Sequence, residues 1–297
     1  MSKMRLKKNI KAKEKEESFG QSIINTIKIL PQAILFVMII NGIAIASFVV
    51  PTGSMENEVM TGDFLFVNKF KYGPTTPQVI PLINKPLPFY KFPGFWEPEK
   101  QDVIVFIYPG DRDEVEASQF QYYLKRCIAT AGDTLQIIDK VVYVNGKEYP
   151  LPENGKFIPE IGNRRAGFPF GTSWTSNNYG PLYIPKIGDE IPISLENIRQ
   201  WDTFIRREGH DVSYDSQNVI IDGNIAKSYT VERDYCFGMG DNRDNSEDSR
   251  AWGFIPYDNV VGTPIVVYWS WDTNQPLANI ISKLATTRFD RIGTLID

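Results

Sequence analysis

The chain has 297 residues, 42% apolar and 23% charged, with a formal net charge of −4. That is globular composition, long enough for one large domain or two smaller ones. Its two cysteines, Cys127 and Cys236, exclude a disulfide-dense scaffold, and no metal-ligand spacing is present. The charge is uneven: residues 1–28 carry eight Lys/Arg against three Glu, leaving 24 of the 32 basic and 33 of the 36 acidic residues for the remainder. A basic end ahead of an acidic body argues against a nucleic-acid binder, whose basic patch belongs on the folded domain.

Residues 1–22 read as a polar cytoplasmic tail. No residue between Ile29 and Met55 is charged, and the densest apolar part, roughly 33–50, is long enough to cross a bilayer. We therefore expect an anchor over 23–50. With Lys/Arg before it and Glu56 and Glu58 after it, the N-terminus faces the cytoplasm and Ser54 lies outside. Ala44-Ile45-Ala46 also fits the cleavage site of a removed secretory signal; the long basic segment and long apolar run favour an uncleaved anchor.

The run ends at Pro51-Thr52-Gly53-Ser54-Met55, a turn that puts a serine just beyond the apolar segment. Gly62-Asp63 through Lys69 reads as a turn entering a strand. Prolines crowd residues 74–100, which excludes a helix or central strand there. Those residues read as an extended apolar loop or ribbon, resting on a membrane or packed on the body. Residues 102–106 and 120–128 read as strands, the second ending at Gly132-Asp133. Asn145-Gly146 and Asp222-Gly223 mark hairpin turns. Between the hairpins, residues 150–218 read as an irregular inserted subdomain. Residues 235–240 form a strand entering the charged loop Asp241–Arg250. Val260–Trp271 is strand-like and too broken by Gly262 and Pro264 to be a second span. Leu277, Ile280, Ile281 and Leu284 have helical spacing and can cap the body. The whole is one mostly-β domain on one membrane helix. Whether the cysteines pair or remain two buried thiols is open at this level.

The only histidine, His210, lies in the irregular insert and reads as a surface residue. A nucleophilic Ser54 therefore needs another base. Lysine serves only when neutral, and its ordinary pKa of about 10.4 must be lowered by burial. Lys125 has the apolar neighbours Tyr123, Leu124, Cys127 and Ile128; the alternative is a lysine on a solvated strand face. The Asp241–Arg250 loop fails as a calcium loop, lacking the ligand alternation, the central glycine and the closing Glu. It reads as a self-neutralising ion-pair loop, with Asp248 and Arg250 as partners and Ser246 as a hydrogen-bond donor to a neighbouring site.

Four blocks, in order behind the anchor, resemble the type I signal peptidases (leader peptidases), Ser/Lys-dyad membrane endopeptidases. They are Pro51–Met55; Gly62-Asp63 through Lys69 with Tyr72-Gly73; Tyr123-Leu124-Lys125-Arg126 with Gly132-Asp133; and Gly240–Ser246 with Asp248-Ser249-Arg250 and Trp252-Gly253. The fourth is the longest and most specific. Together they cover about half the chain, leaving 74–100 and 150–218 outside.

The resemblance implies an antiparallel β catalytic domain over 51–149 and 219–275; the residues outside it read as a β-rich inserted subdomain at 150–218 and a C-terminal helix or tail at 276–297. It implies Ser54 as nucleophile and Lys125 as general base. Thr52 would form the oxyanion hole with the Ser54 N–H, and Ser246 would hydrogen-bond the lysine. Asp248 and Arg250 would be a structural pair. Val50, Met55, Val59, Tyr123 and Leu124 would wall shallow pockets selecting Ala-x-Ala before the cut. No metal or cofactor is implied. The implied partners are signal peptides of exported preproteins, the lipid bilayer and the nearby secretion translocase, with no nucleic acid. The implied place is the bacterial cytoplasmic membrane, crossed once, with the catalytic domain on the outer side. Two positions depart from the pattern: Asn57 replaces a common proline, and Ala129-Thr130-Ala131 precedes Gly132-Asp133 where Gly-x-Pro is usual. Both put the pocket shape in question and leave the dyad intact. A self-cleaving Ser/Lys repressor-type protease fits poorly with an anchor and no DNA-binding segment. The rival of another class is an anchored, catalytically inactive peptide- or glycan-binding protein.

Overall fold

The structure is a computed structural model and describes residues 28–80 and 85–296. The expected tail at 1–22 lies outside the described residues. Residues 28–43 are helical, and apolar side chains point outward on every side, with Ile34, Leu35, Phe36 and Val37 all exposed. Among the described residues no helix is long and apolar enough to cross a membrane.

The expected span to residue 50 is corrected at its end. The helix stops at 43, and Ile45–Val49 is a strand, β1. Its backbone groups pair with β2 (Asp63–Asn68), from Ile45 opposite Asn68 to Val49 opposite Phe64. Hydropathy alone does not separate this strand from the helix before it, because β1 is apolar on both faces.

The main sheet continues with β3 (Val103–Ile107), β4 (Tyr122–Ala129), β5 (Tyr235–Met239), β6 (Ile255–Pro256) and β7 (Val260–Ser270). Its seven strands run in the order β1-β2-β7-β3-β4-β5-β6, and every pair is antiparallel. β3 is a continuous apolar run because both faces are covered. Val103 and Val105 pack with Leu65 and Val267, while Ile104 and Phe106 pack with Trp252 and Ile255. β7 shifts register beside Gly262 and Pro264, which lets one strand serve both β3 and β2.

A second lobe carries a four-stranded sheet built from Tyr179–Tyr183, Thr134–Ile138, Val141–Val144 and Lys147–Tyr149. The hairpin at Asn145-Gly146 forms, with φ of 53° and 75°. Residues 198–207 form a helix that spacing did not predict; Phe204 and Ile205 bury in the same core as Leu135, Tyr179 and Tyr229.

Of the two arrangements expected for residues 74–100, packing on the body is seen among the described residues, 74–80 and 85–100. Lys91 Nζ donates to the carbonyls of Tyr257 and Val260 at 2.8 and 2.7 Å, tying the ribbon to the body. Tyr90, Phe92, Phe95 and Trp96 remain exposed. Near the C-terminus, Ile280–Leu284 is helical, yet Ile281 is 82% exposed and Lys283 is the buried residue. The expected apolar cap is therefore turned outward. Cys127 and Cys236 are buried free thiols.

Candidate active site

Ser54 sits in the turn between β1 and β2. β1 leaves the sheet at Val50, whose N–H donates to the Asp63 carbonyl at 2.9 Å while the Gly62 N–H donates back to Val50. Residues beyond Val50 are thereby lifted over the sheet, toward β4. The turn is held by the charged loop after β5. Asn242 donates its N–H to the Ser54 carbonyl at 3.1 Å and its side-chain amide to the Gly53 carbonyl at 3.1 Å.

Gly240 is where the two segments touch. A Cβ built there would lie 2.5 Å from the Ser54 carbonyl oxygen and collide with Ser246 Oγ as well. Only glycine permits this approach.

Lys125 lies on β4 opposite Ile104, 4% exposed, and its Nζ is 2.8 Å from Ser54 Oγ. Burial pulls the lysine down to about 8, against the opposing pull of the Asp248 and Glu247 carboxylates. A neutral amine and a hydroxyl in contact have the chemistry that a base and its nucleophile require. The Ser54 N–H has no acceptor among the described residues, and the Thr52 hydroxyl lies 3.4 Å from Ser54 Oγ. The Ser54 N–H and the Thr52 hydroxyl are thus two donors near the Ser54 hydroxyl.

Asp248 and Arg250 form a two-pronged ion pair beneath the lysine, with Arg250 Nε and Nη2 at 2.9 and 2.8 Å from the carboxylate. Burial pushes the Asp248 carboxyl up, but Arg250 overcomes it and holds the group below the usual carboxylate value. Asp248 also accepts the Gly240 N–H at 3.1 Å and the Arg250 N–H at 3.2 Å. The pair thus anchors the strand end whose glycine meets Ser54.

Ser246 departs from its implied role. Its Oγ is buried against Gly240, but it makes no hydrogen bond to Lys125 and has no partner among the described residues.

Ser54 and Lys125 open onto a cavity of about 440 Å³. Val50, Met55, Tyr123 and Leu124 line it. Val59 does not: it is fully buried in the core below, beside Met55 and Leu65. Phe48, Leu65 and Val105 complete the apolar floor, and Asn245 and Glu247 stand among the lining residues. β4 pairs with β3 from Tyr122 onward but with β5 only from Arg126 onward. Residues 122–125 therefore have an open outer edge, facing the extended chain at 49–52 across the cavity.

Sequence reasoning missed three supports. Arg126 grips Asp241 with Nε and Nη2 at 2.9 and 2.7 Å, joining β4 to the charged loop. Asp63 is fully buried, accepting from Ser270 Oγ at 2.6 Å and Arg291 at 2.7 Å, so residues near the C-terminus clamp the far end of the serine turn. The start of the insert also reaches this turn: Lys156 Nζ bonds Glu56 at 2.8 Å, and Asn154 bonds Glu58 at 2.7 Å. Asp63 and Arg126 were visible inside the motif blocks. Nothing in spacing points from residue 154 back to residue 58. His210 bonds Asp222 and Glu232.

Signal peptidase I of Rickettsia typhi is 29% identical over 268 residues, covering 84% of each chain. Signal peptidase I of Rickettsia bellii is 28% identical over 280 residues, covering 87% of this chain and 81% of that one. A crystal structure of a signal peptidase I from Enterococcus faecalis aligns at a TM-score of 0.25 and 17% identity, covering 56% of this chain and 96% of that chain. The model of one family, signal peptidase, peptidase S26, matches residues 23–269. The chain belongs to that family.

Proposed function

We propose that this serine endopeptidase removes signal peptides from exported preproteins with Ser54 as nucleophile and Lys125 as its base. The observation that carries the reading is the 2.8 Å contact between a buried lysine and a serine at the end of an apolar groove. The segment before the cut lies extended between residues 49–52 and the open edge of β4, adding a strand to each. The groove floor of Val50, Met55, Leu65 and Val105 takes small side chains, giving cleavage after Ala-x-Ala.

Neutral Lys125 takes the Ser54 proton as Oγ bonds the scissile carbonyl carbon. The oxyanion is received by the Ser54 N–H and the Thr52 hydroxyl, each such donor contributing roughly 3–4 kcal/mol. Lys125 then gives its proton to the departing amine as the C–N bond breaks. Water attacks the ester, Lys125 takes the water's proton, and Ser54 recovers its own from Lys125 as the new C-terminus leaves. Asp248 and Arg250 keep the charged loop in place throughout.

The apolar surface of residues 28–43 supports an anchor in the bacterial cytoplasmic membrane, crossed once, with the catalytic domain on the outer side and near the secretion translocase. Anchoring holds Ser54 close to the bilayer surface, where the signal peptide's apolar segment ends, and raises its effective concentration.

The test is cleavage of a model preprotein by detergent-solubilised wild type, Ser54→Ala and Lys125→Met. Cleavage by wild type and loss in both variants is expected. A wild type that binds the preprotein without cutting it would overturn the reading in favour of an anchored binding protein.

A further inference from the structure

A second cavity, about 410 Å³, adjoins the active-site groove. Phe48, Val49, Pro51, Gln121 and Tyr122 line both, so the two are one continuous trough along β1. The second cavity is closed by Met38 and Asn41 of the N-terminal helix and by Lys69 and Gln78. Lys69 and Gln78 are only 2% and 4% exposed.

The polar groups here leave one function unfilled. Lys69 Nζ donates to Thr75 Oγ1 at 3.0 Å and to Gln78 Oε1 at 2.6 Å. Tyr122 donates its hydroxyl to the same Gln78 oxygen at 2.9 Å. Two donors, one of them an amine, fix the amide's orientation and occupy both lone pairs of Oε1. Gln78 Nε2 is left buried with no acceptor among the described residues. Buried amide donors are almost always paired; Gln78 lines the cavity, and its unpaired donor is a position that a ligand's acceptor can satisfy.

We infer that this cavity holds the substrate chain upstream of the Ala-x-Ala positions, and that Gln78 Nε2 donates to a main-chain carbonyl of that segment. The inference rests on the peptidase reading above. An extended chain advances about 3.3 Å per residue. A peptide following β1 from beside Thr52 back to Ser47 therefore enters the second cavity four to six residues before the cut. The occupant is a polypeptide segment in extended form, recognised by its backbone and independent of its side-chain sequence. Lys69 and Tyr122 are positioning residues here: they hold the amide so that its donor side is turned away from them.

The test uses the full chain in detergent and two peptide substrates identical from the third residue before the cut onward. One begins at that residue; the other carries six more residues upstream. The quantity read is the ratio of kcat/KM for the long over the short substrate, in wild type, Gln78→Leu and Gln78→Glu. Gln78→Glu keeps the shape and the contact with Lys69 while replacing the donor by an acceptor. The expected result is a wild-type preference for the long peptide that falls about tenfold in both variants, equivalent to about 1.4 kcal/mol, and falls through KM. A wild-type ratio near one, or a ratio that both substitutions leave in place, would overturn the inference. If wild type cuts neither peptide nor a preprotein, the peptidase reading itself fails, an outcome distinct from loss of the ratio.

Discussion

Two lysines in this molecule share an environment and differ in what they touch. Lys125 and Lys69 are both buried, and burial brings each down to about 8, with Lys91 adding to the effect at Lys69. Lys69 gives its protons to two fixed acceptors, Thr75 and Gln78. Lys125 has a single hydrogen-bond partner among the described residues, a serine hydroxyl at the end of a groove. Desolvation makes a lysine able to be neutral, but only the second arrangement gives a neutral lysine a proton to take. A lowered pKa marks a candidate base, and the partner decides whether it is one.

The largest expected effect separates the two sites. Lys125→Arg keeps the charge and removes the base, since guanidinium does not deprotonate in proteins; cleavage falls by about 10⁴-fold or more. Lys69→Met leaves the pH midpoint of cleavage where wild type has it. Appreciable turnover by Lys125→Arg, or a displaced midpoint in Lys69→Met, would break the comparison.

Next comes the support beneath Lys125. Asp248→Ala leaves Arg250 buried and uncompensated, and denaturant unfolding is expected to show a loss of about 3–5 kcal/mol. A loss under about 1 kcal/mol would mean that the pair is not what holds the loop.

Gly240→Ala acts through geometry alone. The added methyl cannot fit beside the Ser54 carbonyl, so the serine turn must move. Displacement of that order costs about 100-fold in kcat, with the unfolding midpoint as a control for gross damage.

The smallest effect concerns Glu247, an exposed carboxylate among the cavity-lining residues that raises the Lys125 pKa. Glu247→Gln removes that pull, so the acid limb of the rate profile moves to lower pH. Screening by solvent limits the move to about a few tenths of a unit. A shift in the opposite direction would contradict the assigned electrostatics.

How much of this was legible depends on how local each signal is. Ser54, Lys125, Asp248 and Arg250 lie in short blocks whose order and spacing carry a family resemblance, and the structure brings all four together. The hairpin at Asn145-Gly146 was legible because it needs only two adjacent residues that tolerate positive φ. The end of the N-terminal helix was not: Ile45-Ala46-Ser47-Phe48-Val49 is uncharged like the helix before it, and only pairing with Asp63–Asn68 makes it a strand. Val59 reads as a pocket wall from its place after Met55, but the turn carries it into the core. Gln78 was hidden in a proline-rich stretch, because its meaning arises from Lys69, just past the end of β2, and Tyr122 of β4, which both reach it.

The claim at the centre is that neutral Lys125 is the base for Ser54. It is tested most directly by the pH dependence of kcat/KM for a preprotein, measured with wild type from pH 5 to 10. A base must be unprotonated, so activity is complete above its pKa and is lost as pH falls through it. The account predicts a plateau above about 8, the value to which burial brings Lys125, and a fall of about one decade per pH unit below it. A profile that stays flat down to about pH 5 would contradict it.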